Sequence, residues 1–217
     1  MRYLMNWIGI IVAVMVLTGC QSAYYGAMEK VGIHKRDILV DRVDDARDAQ
    51  TDAQEEFKSA LQRLDELLKF DGGELEARYN ALNDDYESSK AAAERVYDRI
   101  EAIDDVAQAL FDEWQEELGM YSNDAMRRES ERSLRETERR YTSLLQSMER
   151  AADTMEPVLE KLQDNVLYLK HNLNAKAVDA IRGEYRSLRT DVDVLIREME
   201  TAIQESNAFI EAMKEGS

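Results

Sequence analysis

Apolar side chains recur along this chain with alternating spacings of four and three residues, and the pattern persists through four long segments. These segments run over residues 39–67, 75–114, 134–173 and 178–202. Such a heptad keeps one apolar stripe of a helix facing a partner helix over many turns. Few residues interrupt it, because the chain has only 9 glycines and one proline. The sequence therefore predicts an all-α protein of long, packed helices.

Short breaks separate the four segments. Asp71-Gly72-Gly73 predicts a tight turn, Gly119 with Ser122-Asn123-Asp124 predicts a helix end followed by a cap, and Asn172-Leu173-Asn174 is a weaker break. Short loops join antiparallel neighbours. We therefore expect an elongated antiparallel four-helix bundle over residues 39–214, in which a 45-residue helix would be about 65–70 Å long.

Two residues inside the segments leave alternatives open. Pro157 falls within the third heptad run, which stays in phase across it, so we interpret it as a kink. The alternative is a true break at Glu156, which would give five helices. Gly183 is either a tolerated interior glycine or a point of close packing.

The amino-terminal residues have the plan of a cleaved secretory leader. Met1-Arg2 supplies the charge, residues 7–17 are apolar, and Leu17-Thr18-Gly19-Cys20 resembles the lipobox at which bacterial lipoproteins are cut. Cys20 is the only cysteine, so it can form no internal disulfide, and we expect it to carry a thioether-linked lipid. The predicted domains are a signal peptide (1–19), a lipid-anchored juxtamembrane segment (20–38) and the bundle. The alternative is a plain anchor helix, for which the apolar run is short.

The anchor also predicts an orientation and a location. Gln21 and Ser22 follow the cysteine with no Asp beside it, which resembles the sorting pattern of outer-membrane lipoproteins. We expect a protein that is lipid-anchored in the bacterial envelope and faces the periplasm. The Gly72 turn would then be distal from the membrane, and the Gly119 turn and the carboxyl terminus would be proximal.

The charge and the motifs exclude several functions. A net charge of −17 disfavours binding to nucleic acid through bulk charge. A di-iron site in a helical bundle would need Glu-x-x-His pairs, but neither His34 nor His171 has Glu three residues before it. No phosphate-binding glycine loop and no Gly-x-Ser-x-Gly elbow is present. We expect no enzyme activity, no metal site and no cofactor.

A first candidate surface lies next to the predicted anchor. Tyr24 and Tyr25 are residues of a type that favours the membrane interface, and Lys35 and Arg36 could pair with phosphate headgroups. The alternative is that the tyrosines begin the bundle and that the two cations are solvated.

A second candidate surface is a basic island in this acidic chain. We call it the arginine island; its members are Arg127, Arg128, Arg132, Arg135, Arg139 and Arg140. In an antiparallel hairpin that turns near Gly119, the arginine island would face acidic residues of the preceding helix between Glu101 and Glu117, and we expect this complementary charge to fix the pairing of the two helices. The alternative is a docking face for an acidic partner or for lipid phosphate.

The stretch from Tyr24 to Val43, YYGAMEKVGIHKRDILVDRV, resembles the start of the bacterial domain-of-unknown-function family 2959. The likeness continues through residues 44–50. Members of that family look like envelope lipoproteins. The resemblance implies a lipid anchor and a helical fold, and it implies no activity and no catalytic residues.

Two functions remain as expectations. The first is a non-enzymatic scaffold, spacer or adaptor that binds an envelope protein partner, with a homo-oligomer as an option. The alternative is a helical bundle that binds a small ligand or lipid between its helices, where Ala93, Ala107 and Ala152 could leave room. A continuous apolar pocket of about 300 Å³ or more would favour the alternative.

Overall fold

The computed structural model describes residue 28, residues 34–69 and residues 75–215. These residues form α1 (Lys35–Leu68), α2 (Leu75–Leu118), α3 (Asp124–Asp153), α4 (Met155–His171) and α5 (Ala175–Glu215). No strand occurs in this part of the chain. The predicted turn at Gly72 lies outside the described residues, as do the leader and Cys20. The first helix of the bundle already includes residues 35–38, which the sequence had assigned to the juxtamembrane segment.

Polar side chains mark the helix starts. Asn123 is extended, with φ −99° and ψ 110°, and its Oδ1 accepts hydrogen bonds from the backbone N–H of Ala125 at 2.9 Å and of Met126 at 3.3 Å. These bonds satisfy donors that have no partner within the helix. The predicted cap at the start of the third segment is therefore confirmed.

The helices form a bundle with four helical positions arranged in a ring. α1 packs against α2 and α5, and α3 and α4 together occupy the fourth position, in contact with α2 and α5. Lys35 of α1 meets Glu113 of α2, and Arg36 of α1 donates to the backbone oxygen of Met213 in α5. Early residues of one helix thus meet late residues of its neighbour, as in antiparallel pairs. The all-α antiparallel four-helix bundle is confirmed.

The core follows the heptad stripe closely. On α1 every predicted position from Leu39 to Leu67 is fully buried. Leu173 is the clear exception, with 40% of its surface exposed. The reason is that α4 ends at His171, so Leu173 lies in the α4–α5 loop.

The third segment is interrupted at Thr154. The described part of the chain therefore has the five helices of the predicted alternative, but the helix ends at Asp153 and resumes at Met155, so the break lies two residues before Glu156. Pro157 explains it: proline has no N–H to give the carbonyl of Asp153, and its ring crowds that carbonyl. The nearby carbonyls find side-chain donors instead. Thr154 Oγ1 donates to the oxygen of Ala151 at 2.7 Å, and the Tyr97 hydroxyl of α2 donates to that of Ala152 at 3.0 Å.

The buried stripe of α3 and α4 is also wider than the heptad predicted. Leu144, Ala151 and Val158 are fully buried, although they lie one residue before the predicted positions. Ala152 and Leu159, which were predicted, are buried too. The two helices therefore have a broad buried face, which contacts both α2 and α5.

One polar residue lies in the middle of the core. Gln50 of α1 is fully buried, and neither its Oε1 nor its Nε2 has a hydrogen-bond partner. The register of the helix pairs places it near the levels of Ala93 in α2 and Ala202 in α5, which are small and buried. Unsatisfied buried amides are rare, because they lose their bonds to water without replacement.

Gly183 of α5 is a tolerated interior glycine, because a Cβ built on it would meet no atom within 4 Å. Among the described residues, no helix combines the length and the apolar character that crossing a bilayer requires.

Candidate functional site

Four helix termini meet at the end of the bundle where α1 begins. We call this the proximal end; it comprises the start of α1 at Lys35, the end of α2 at Leu118, the start of α3 at Asp124 and the end of α5 at Glu215. Both candidate surfaces from the sequence are here or begin here. The candidate functional residues therefore lie at the proximal end and along α3.

The side chains of Lys35 and Arg36 bind groups of neighbouring helices in the bundle. Lys35 Nζ lies 3.0 Å from Glu113 Oε2, and only 12% of the lysine side chain is exposed. Arg36 donates to the backbone oxygen of Met213. The two residues therefore fasten α1 to α2 and to α5. This differs from both predicted roles, headgroup contact and solvated surface. Tyr24 and Tyr25, the other members of that candidate surface, lie outside the described residues.

Exposed apolar side chains cluster instead at the turn between α2 and α3. Met120, Tyr121 and Met126 are 78%, 39% and 58% exposed. We call residues 119–128 the hairpin tip. Lys35 is level with Glu113, so the tip begins at least five residues beyond the start of α1, or about 8 Å along α2. Sequence analysis missed it; the available signal was two methionines and a tyrosine outside the heptad, beside a glycine.

Half of the arginine island forms ion pairs within its own helix. Arg127, Arg132 and Arg135 pair with α3 carboxylates three or four residues earlier, at 3.7, 2.9 and 2.6 Å. The interpretation that these arginines bind the acidic end of α2 is therefore wrong. Neighbouring carboxylates on the same helix are reached at less entropic cost than those across a groove.

The other half of the arginine island has no carboxylate partner. Arg128, Arg139 and Arg140 are exposed, and within the described part of the chain no acidic oxygen lies within ion-pair distance of them. Exposed cations without a carboxylate partner are local positions of positive potential on a chain of net charge −17.

Arg139 and Arg140 line a groove between α3 and α5. It has a volume of about 300 Å³, and its other lining residues are Ser143, Glu205, Ala208 and Phe209. A second groove of about 320 Å³ shares Arg140 and reaches Trp114 of α2 and Met213 of α5. The Trp114 indole N–H donates to Ser130 Oγ at 2.8 Å, which holds the ring across the α2–α3 pair. The two grooves place cationic and apolar groups side by side along the first half of α3.

A polar contact between α2 and α3 lies beside these grooves. The Tyr141 hydroxyl donates to Asp104 Oδ1 at 2.6 Å, and the Tyr141 ring meets Phe111 edge-on with centroids 5.4 Å apart. Burial, and then the bond to Asp104, raise the pKa of Tyr141 well above its ordinary value. The phenol therefore stays protonated and acts as a fixed donor. This contact, and not the arginine island, connects α3 with the acidic residues of α2.

The remaining chemistry-bearing residues do not converge. His34 caps α1 and His171 ends α4, so the two histidines are at opposite ends of the bundle. Among the described residues no three His, Cys, Asp or Glu side chains are grouped as a metal site would need. At the distal end, where α4 meets α5, Leu167, Tyr168 and Leu173 are exposed.

Comparison with known proteins gives a family and no activity. No curated protein and no solved structure matches the chain. A family model described as a protein of unknown function (DUF2959) matches residues 24–213, which include all of α1 to α4 and nearly all of α5. The match extends far beyond the stretch that carried the resemblance in the sequence, and the chain belongs to the DUF2959 family.

Proposed function

We propose that this protein is a non-enzymatic scaffold or adaptor of the bacterial envelope, held at a membrane by a lipid on Cys20. The Leu17-Thr18-Gly19-Cys20 pattern supports the anchor. The absence of Asp after the cysteine supports residence in the outer membrane, with the bundle in the periplasm. A rigid antiparallel bundle presents long helix faces to partners at a fixed distance from the membrane.

The observation that carries the adaptor role is the set of unpaired arginines on α3. Arg139 and Arg140 lie beside Phe209 in a groove between two helices. An acidic segment with an apolar side chain would find both a charged contact and a place for its side chain there. Since the rest of the chain is strongly acidic, it would repel such a segment and direct it to this groove.

The groove can be tested by reversing its charges. We expect R139E/R140E to lose most of the partner that crosslinks to the wild-type protein in its own membrane, because the docking cations become repulsive. The control R95E/R186E reverses the same number of charges at exposed positions on α2 and α5. Retention of the same crosslinked partner by R139E/R140E would contradict docking in this groove.

The anchor is tested separately. Cys20→Ser should leave an unprocessed precursor that takes up no labelled palmitate, whereas the wild-type protein should incorporate it. Absence of label in the wild-type protein would contradict the lipid anchor, whatever the groove does.

The alternative function is binding of a small ligand or lipid inside the bundle. The small residues that could leave room, Ala93, Ala107 and Ala152, are buried in the continuous apolar core. The two grooves on α3 lie at the surface of the bundle, and charged side chains form part of their lining. These features favour the scaffold, and a bound apolar molecule in protein purified from its own membrane would favour the alternative.

A further inference from the structure

We propose that the hairpin tip is a second membrane contact, which inserts its apolar side chains into the interface of the bilayer that holds the lipid on Cys20. The inference rests on the proposed anchor. It differs from the sequence prediction, which gave this role to Tyr24, Tyr25, Lys35 and Arg36.

The first argument is the length of chain available to the anchor. Met28 is helical and packs against the core, and it lies six residues before His34, so it is at most about 22 Å from the start of α1 at the proximal end. Cys20 lies eight residues earlier, so even a fully extended chain spans at most about 30 Å between them. A lipid on Cys20 therefore keeps the proximal end close to the membrane surface, and the hairpin tip is at that end.

The second argument is the chemistry of the hairpin tip. Met120 and Met126 expose more than half of their surface, and Tyr121 exposes 39%. Flexible apolar side chains and a tyrosine are suited to the boundary between headgroups and acyl chains. None of the three is needed by the core.

The third argument is charge, which excludes electrostatic attraction as the main cause. Arg127 is paired with Asp124, and Glu116 and Glu117 lie at the end of α2 beside the tip. Only Arg128 is left to meet a headgroup phosphate. The contact must therefore depend on apolar insertion, and we expect it to be insensitive to salt.

The fourth argument is the effect of a tether on a weak contact. Three side chains would not hold a free protein on a membrane. Once a lipid fixes the chain, the tip meets the bilayer at a high effective concentration, so even a weak insertion is populated. The result would be a bundle held at a defined tilt by two points.

The test uses the acylated full-length protein with Met120→Cys. Because the lipid occupies the thiol of Cys20, position 120 is then the only free thiol and can carry a nitrobenzoxadiazole label. The protein is reconstituted in vesicles of phosphatidylethanolamine and phosphatidylglycerol in which some acyl chains carry a nitroxide near the headgroup. A matched control carries the same label at position 211, an exposed residue of α5 that also lies at the proximal end, where the lipid alone brings it near the membrane.

We expect the label at position 120 to be quenched at least about twofold more than the label at position 211, equally in 0.05 M and 0.5 M NaCl. Adding Met126→Ser should reduce this quenching. Equal quenching at the two positions, on vesicles that float with the protein, would overturn the second contact alone. Protein that fails to float with the vesicles would overturn the anchor, and the second contact with it.

Discussion

At the scale of single residues, Gln50 is the least expected feature of the molecule. A fully buried amide with no hydrogen-bond partner costs stability, because it has lost its bonds to water without replacement. We predict that Gln50→Met, which keeps the length and removes both polar atoms, raises the free energy of unfolding by about 1–3 kcal/mol. Urea denaturation followed by circular dichroism measures it.

Gln54 provides the matched control, one helical turn further along α1. Its Nε2 donates to the backbone oxygen of Ile196 at 3.3 Å, so Gln54→Met removes a hydrogen bond that is made. We expect no gain in stability from that change. A loss of stability in Gln50→Met would mean that the amide is satisfied in solution, for example by a buried water molecule.

Tyr141 makes stability depend on pH in the alkaline range. Its pKa is raised in the folded protein above the ordinary value of 10.0, so the folded state keeps a proton that the unfolded state releases. Folding stability from this group is therefore complete below pH 10 and decreases as pH rises above it. We predict that wild-type urea midpoints fall more steeply between about pH 9.5 and 11.5 than those of Tyr141→Phe. Parallel profiles would contradict the shift.

At the scale of helices, the sequence predicted which segments are helical more accurately than which face of each helix is buried. The heptad identified most buried residues of α1 because many apolar side chains there, such as Val43, Phe57 and Leu64, stand alone between polar ones. On α3, Leu144 and Leu145 are adjacent and equally apolar, so spacing could not decide between them. In the structure Leu144 is fully buried and Leu145 only partly, because α3 faces two helices at once.

This difference can be measured. We predict that Leu144→Ala costs about 2–4 kcal/mol of unfolding free energy, since it leaves a cavity in the core, and that Leu145→Ala costs less than half as much. Thermal or urea unfolding of the two variants provides the comparison. A larger loss for Leu145→Ala would restore the register first predicted from the heptad.

The candidate site was harder to predict than the helices, for a physical reason. The arginine island was visible in the sequence, but charge composition does not say which carboxylate an arginine reaches when Glu129 and Glu131 are on the same helix. The exposure of Met120 and Met126 depends on where α1 begins and where α5 ends relative to the end of α2. Local sequence does not contain that relation; it shows only that Met120, Tyr121 and Met126 lie outside the heptad, beside Gly119.

At the scale of the whole molecule, the net charge of −17 leaves a repulsion between the negative side chains, and the ion pairs do not cancel it. Most described pairs are exposed and join neighbours on one helix, and such pairs contribute little. We predict that raising NaCl from about 0.02 to 0.5 M increases the melting temperature, because screening weakens the repulsion more than it weakens the pairs. A decrease would show that attractive pairs dominate.

The contact between Arg36 of α1 and the carbonyl of Met213 in α5 joins residues separated by 177 positions. The first helix thus completes its burial only against the last one, and the ring cannot close until nearly the whole chain is present. A ribosome or an export channel would release α5 last. The unfinished chain would keep one apolar face of α1 without its partner for most of its synthesis, so α1 completes its packing only after α5 is released.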